Sequence, residues 1–307
     1  MTVLRVPSEF PAISDAVAAA GSGDTILVAP GVYREQVRIT TDFVRLIADE
    51  GRVVLDGNGN LSRAFVIDGA QGVEINGFTI RHYRRAGIAV TASRFNRLAH
   101  NVIHRIIAGE GIHIAGDGNL VWDNDVSGAS GDGILVTDSD GNWLVANRSV
   151  DNGGRGILIL GGKNAAIVSN ETAGNQNFGI ASTGENTLLL NNSLIENGVA
   201  EAASTAGNMD TGQSGNTVVI GTRILGNQLP GIVLSRRNTF VARNRIKDNT
   251  GTGIAVGATA RFNSVQENSV AGNADNGIQA PVIRPGSVTK RVHGKGAGGV
   301  APGHLDC

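Results

Sequence analysis

The sequence is poor in several features that would betray a protein's class. Among 307 residues there is one cysteine, the last residue Cys307, so no disulfide can form within the chain. Neither sign of charge is in excess: 26 Lys and Arg stand against 27 Asp and Glu, which gives no global attraction to nucleic acid or to an anionic membrane. No apolar run approaches the ~18 residues of a membrane span. The opening MTVLRVPSEFPAISDAV lacks the basic segment and following apolar segment of a secretory leader. The expectation is a soluble, cytoplasmic protein, monomeric or weakly self-associating, with no nucleic-acid or membrane partner. Aromatics make up only 4% of the chain, whereas Gly, at 44 residues, is abundant. That balance suits many tight turns around a core of small and branched aliphatic side chains.

What is present is a repeat. Gly-Ile recurs at 87, 111, 133, 156, 179, 231, 253 and 277, close to every 23 residues, with one long step. That step hides a degenerate unit, because NTVVIGTRILGN (216–227) aligns with NTFVARNRIKDN (238–249) and the turn near 198–214 is lengthened. Each unit holds three short alternating apolar bursts, too short for helices and spaced as strands. Three strands and three turns form one rung of a coil. A single rung cannot bury its inner face, but stacked rungs can. An Asn series at 101, 124, 147, 170, 192, 244 and 268, with Thr222 in the degenerate unit, keeps the same spacing. Asn tolerates left-handed backbone, and stacked amides can bond from rung to rung. The expected fold is all-β: a right-handed parallel β-helix of about ten rungs over residues 1–283. An amphipathic helix, 11–20, would cap its open apolar end, and a Gly-rich basic tail would occupy 284–307.

The entry FPAISDAVAAAGSGDTILVAPGVYREQVRI (10–39) and the Gly-Ile/Asn repeat together resemble the pectate-lyase-like β-helix superfamily, over about residues 3 to 283. The resemblance speaks to fold. That superfamily includes pectate lyases, uronan epimerases, polysaccharide hydrolases, copper-delivery proteins and inert spikes, so it implies no single activity. Uronan epimerases carry Tyr-Gly-Phe-Asp-Pro-His on the corresponding strand. Here it reads EGIHIA (110–115), with Glu110 for Tyr, His113 for Asp and Ala115 for His, so that motif is not kept.

In each Gly-Ile strand the third and fifth residues should face outward. The third-position row reads Ala89, His113, Leu135, Leu158, Ala181, Val233, Ala255 and Gln279, an unusually apolar face. It suggests a cover (the 198–214 loop or the tail), a partner surface, or a substrate with an apolar body. His113 interrupts the row, and a near-neutral imidazole suits proton transfer. Glu110, Asp132 and Arg155 precede Gly-Ile on successive rungs; the carboxylates could act as acid and base, and the cation could stabilise developing charge. Tyr83 is a further possible proton donor. His82, Arg85, His104, Arg105, Leu135, Asp138, Leu158 and Lys163 are candidates for holding substrate. Each of these also has an ordinary explanation as a surface or turn residue. The pair Asp138 and Asp140 in TDSDGN could bind calcium but is also common turn chemistry, and no His/Cys cluster has zinc or copper spacing. Gly294, Gly296 and Gly299 form a G-x-G-x-x-G with no strand before it and no helix after it, which argues against nucleotide binding.

The expected function is cofactor-free acid–base chemistry, of lyase, epimerase or cyclase type, with no metal. Its substrate would be small to medium and partly apolar, such as a biosynthetic intermediate. A carbohydrate lyase, epimerase or hydrolase, and a non-catalytic module for binding or assembly, are the alternatives.

Overall fold

The computed structural model describes residues 2–198, 209–210, 215–235, 237–258, 260–279 and 288–293. The chain winds as a parallel β-solenoid of about eleven turns. A front sheet collects eleven parallel strands, one per rung, from Val37–Ile39 through Ala86–Thr91, Glu110–Ala115, Ile134–Thr137 and Ile157–Leu160 to Ile278–Gln279. The back sheet takes two further short strands from each central rung, such as Leu120–Trp122 and Asp125–Ser127. Three strands per rung agree with the repeat. Front strands at Val37–Ile39 and Arg63–Asp68, which lack Gly-Ile, raise the count above the expected ten. Backbone pairing continues past residue 283, where Val288–His293 lies parallel to Asn263–Ala271 inside the stretch read from sequence as a tail.

Corners make the coil possible. Each central rung bends at left-handed residues, for example His82, Arg105, Asp123, Ala146, Ser169 and Asn191, all with φ between 51° and 58°. The recurring Gly of Gly-Ile has a different reason. A Cβ on Gly87 would sit 2.6 Å from the Ile103 side chain and one on Gly111 would collide with Val126, so the front strand can meet the back sheet only without a side chain there.

Inside the coil, identical positions stack. Ile88, Ile112, Ile134, Ile157 and Ile180 are fully buried beside their counterparts; in the back sheet Leu98, Val121, Leu144, Ile167 and Leu189 stack in one buried row, and Ile103, Val126, Ser149, Thr172 and Leu194 in another. Polar corners are bonded in ladders. Asn170 Oδ1 accepts the Asn147 backbone N–H (2.9 Å) and its Nδ2 (3.0 Å), while Asn170 Nδ2 donates to Leu144 O (2.8 Å). Among the described residues the Asn series expected from sequence is one of three buried ladders: Asn96, Asn119 and Asn142 form a second, and Asn152, Asn175, Asn197, Asn227, Asn249 and Asn273 a third. The second stops where Ala165 takes the next place, and the Asn142 amide nitrogen is left buried without a partner.

The N-terminal end is closed by a helix at Ile13–Ala19, shorter than the expected 11–20, which buries Ile13, Ala16 and Val17. Its first N–H groups are capped from a distance: the Glu35 carboxylate accepts from Ile13 (3.0 Å) and Ser14 (2.8 Å).

Candidate functional site

The front sheet brings some of the candidates together and separates others. His113 stands in the outward row, half-buried, between Ala89 and Leu135 on the neighbouring strands. Its Nε2 lies 3.1 Å from Thr137 Oγ1 on the next rung. Burial holds the imidazole below the usual histidine range; Glu110 opposes that shift and Arg63 adds to it. Burial thus favours the neutral, proton-accepting ring. Glu110 begins the same strand, and its carboxylate makes no hydrogen bond or ion pair among the described residues.

Thr137 also belongs to the wall of an open cleft of about 680 Å³ at the C-terminal ends of these strands. The cleft is polar. Asp42, Gln71, Arg94, Asp117 and Asp138 reach it from the corners of successive rungs, with Ser93 and Thr137 behind them. Of these, sequence reasoning named only Asp138. A signal was present: a polar residue precedes the left-handed corner in Asp42-Phe43, Gln71-Gly72, Arg94-Phe95 and Asp117-Gly118, at the rung spacing. The corners are stitched together: Asp42 accepts from the Gln71 backbone (3.0 Å) and side chain (3.2 Å), and Arg94 Nε donates to Gln71 Oε1 (3.3 Å).

Asp132 and Arg155 answer each other rather than a vacant space. Asp132 is 9% exposed; its Oδ1 accepts the Arg155 backbone N–H (2.6 Å) and its Oδ2 lies 3.5 Å from the guanidinium. That guanidinium also lies 5.8 Å from the Phe178 ring centroid. Lys163 pairs with Glu185 (3.4 Å) farther along the rod.

Tyr83 has to be withdrawn as a proton donor. It is fully buried in the core, its hydroxyl donates to Glu35 O (2.7 Å), and burial raises its pKa, with Glu35 and Asp56 adding to the effect. Its role is to tie the helix cap to the third rung. His82, His104 and Arg105 lie at the opposite ends of the front strands from the cleft, in a basic corner with Arg81. There Asp56 takes Arg81 Nε (2.9 Å) and His82 Nδ1 (3.2 Å). Burial also lowers the His104 pKa, helped by Arg105, Arg81 and His82. Arg85 is exposed beside the Glu110 end of the sheet, where its carbonyl accepts the Glu110 N–H (3.1 Å). These residues do not line the cleft.

The apolar row is not an open floor. Leu158 and Ala181 are 7% and 5% exposed, because Phe178 and Leu229, from the turns before the front sheet, pack on them with Leu135 at the edge. The covers expected from sequence, the 198–214 loop and the tail, fall almost wholly outside the described residues, as do Cys307 and the Gly294–Gly299 motif.

The model of the family described as "Periplasmic copper-binding protein (NosD)" matches residues 17–227, more than half of the chain. The chain belongs to this NosD family. A second model, "Right handed beta helix region", matches residues 202–280. No curated protein sequence matches the chain. Among solved structures, the Azotobacter vinelandii mannuronan C-5 epimerase AlgE6 A-module is similar at 17% identity and a TM-score of 0.73, covering 92% of this chain and 93% of that one. The AlgE4 A-module from the same organism has 16% identity and a TM-score of 0.70, over 94% and 90%. The catalytic domain of a GH87 α-1,3-glucanase bound to nigerose has 15% identity and a TM-score of 0.66, over 94% of this chain and 68% of that one. At such identities the likeness establishes the fold.

The NosD description raises copper, for which imidazole and sulfur groups are the natural donors. Among the described residues no three His, Cys, Asp or Glu side chains converge as a metal site. The rings of His82 and His104 are 6.4 Å apart, and His82 is engaged with Asp56. The described side chains do not fit a copper centre.

Proposed function

We propose that this chain is a carbohydrate-active enzyme of lyase, epimerase or hydrolase type, with its proton chemistry on the central rungs of the front sheet. His113 is the general base, with the Glu110 carboxylate on the same strand. The observation that carries this reading is a half-buried imidazole within hydrogen-bond distance of Thr137 on the wall of a polar cleft. A general base must be unprotonated at the working pH, and burial favours that form of His113. Proton abstraction from a ring carbon and activation of a water both begin with the same transfer to the imidazole, and side chains alone suffice for it. A sugar needs several convergent hydrogen-bonding groups to fix its orientation, and the corner residues of the cleft supply them. The saccharide enzymes that share the fold support the same substrate class.

A small, partly apolar substrate is supported less well. The row of side chains that suggested it is packed beneath Phe178 and Leu229. The test is chromatography of mannuronan and α-1,3-glucan after incubation with the purified protein and with His113→Ala. Product formation by the first and its loss in the second supports the reading. Equal product from both would place the chemistry elsewhere on the rod.

A further inference from the structure

The cleft has an aromatic border that proton transfer does not use. In the left-handed corner that follows the front sheet, Gly72, Gly118 and the positions from Gly141 to Asn238 are Gly or Asn, the residue types that enter this backbone at least cost. Phe43, Phe95 and Phe262 break the pattern, with φ of 61°, 57° and 56°. A bulky side chain in this region is strained. Burial does not compensate, because Phe43 is 50% exposed and Phe95 64%.

Two of these rings are placed with care. A Cβ on Gly72 would collide with the Phe43 ring, and one on Gly118 would lie 2.7 Å from Phe95 Cδ1, so each ring rests on the bare backbone of the next rung. Asp42 and Arg94, the residues immediately before them, line the cleft. The rings stand two rungs apart, ~10 Å at the usual strand spacing, about the length of a disaccharide. Aromatic faces carry negative charge density and attract the polarised C–H groups of a sugar ring. The charge of the cleft narrows the choice of sugar: Asp42, Asp117 and Asp138 outnumber Arg94, which repels a carboxylate-bearing chain.

We infer that Phe43 and Phe95 form a stacking platform that seats a neutral oligosaccharide along the rod axis at the mouth of the cleft. This rests on the carbohydrate reading of the cleft. It is tested by equilibrium binding, independent of turnover, to an array of neutral gluco- and fructo-oligosaccharides and of uronan oligomers. Neutral chains should be retained, and Phe43→Asn and Phe95→Asn should each weaken their binding about tenfold. Both variants should also raise Tm, since Asn suits the left-handed corner. Phe262→Asn, at the far end of the rod, should raise Tm and leave binding unchanged.

Retention of uronans alone, retention of no neutral chain, or unchanged affinity in both variants would overturn the platform. So would a lower Tm in both, which would make the rings structural packing. If the wild-type protein turns over a saccharide while both variants bind normally, only the platform fails. If binding depends on the rings and nothing is turned over, only the enzyme reading fails.

Discussion

The front face carries two surfaces on one backbone. Around Glu110–Ala115 the outward positions hold His113 and Thr137 beside a polar cleft; at Leu158 and Ala181 they hold aliphatic side chains covered by Phe178 and Leu229. Register, corner conformation and inward isoleucines are the same in both. The coil is thus indifferent to what its outer rows carry. Inward and ladder positions hold the scaffold, and a few outward residues set the chemistry of each stretch.

That contrast can be broken at either end. The largest expected effect is on rate: His113→Ala should lower turnover of a saccharide ~10²–10⁴-fold, with Tm nearly unchanged, because the ring is an outward side chain. Steady-state kinetics beside a thermal melt reads both quantities. Asn170→Leu should do the reverse. It removes the acceptor of two hydrogen bonds from Asn147 inside the coil, which should cost ~1–3 kcal/mol in chemical denaturation and leave the rate constant intact.

In the covered stretch, Leu158→Ala should cost about 2 kcal/mol of stability, at the low end of the usual range for a core leucine because the cluster around it is small. Turnover should be unaffected; a loss of activity comparable to that of His113→Ala would mean that the apolar stretch is the substrate floor after all.

The smallest effect is on acid tolerance. Burial raises the Glu74 pKa, but the hydrogen bonds from Arg45 and Asn76 and the charge of Arg97 outweigh it and leave the carboxyl below its ordinary value. Such a group contributes stability that is fully present above its unfolded pKa of ~4.3 and is lost as pH falls through the folded value. Melts of the wild type and Glu74→Gln should therefore converge on acidification below about pH 4. A gap that stays constant with pH would remove the charge argument.

The fold was legible because it repeats. The Gly of Gly-Ile marks a place with no room for a side chain, and the Asn101 series carries the amide ladder beside the left-handed corner residue, so spacing alone reported the rung. The two additional Asn ladders, at Asn96 and Asn152, were equally periodic and went unread only because one series already sufficed. The site was harder to read. Tyr83 looked like chemistry because tyrosine is rare here, yet its ring fills the core and its hydroxyl is used by Glu35 O. Asp132 and Arg155 looked like a catalytic rim, but adjacent rungs let opposite charges pair. The cleft residues Asp42, Gln71, Arg94 and Asp117 sit in corners, where polar side chains are ordinary, and only the stacking of rungs gathers them. His113 was visible because it interrupts the apolar run from Ala89 to Ala181.

The central claim is that a neutral His113 beside the polar cleft performs proton transfer on a saccharide. Its most direct test is the pH dependence of kcat/KM on whichever of mannuronan and α-1,3-glucan is turned over, with His113→Ala as the companion. A free-enzyme base with a depressed pKa should hold activity constant down to below the ordinary histidine value of ~6.5 before it falls, and the variant should lose both the activity and the acidic limb. Turnover in His113→Ala with the same acidic limb, or no turnover of either saccharide by the wild type, would contradict it.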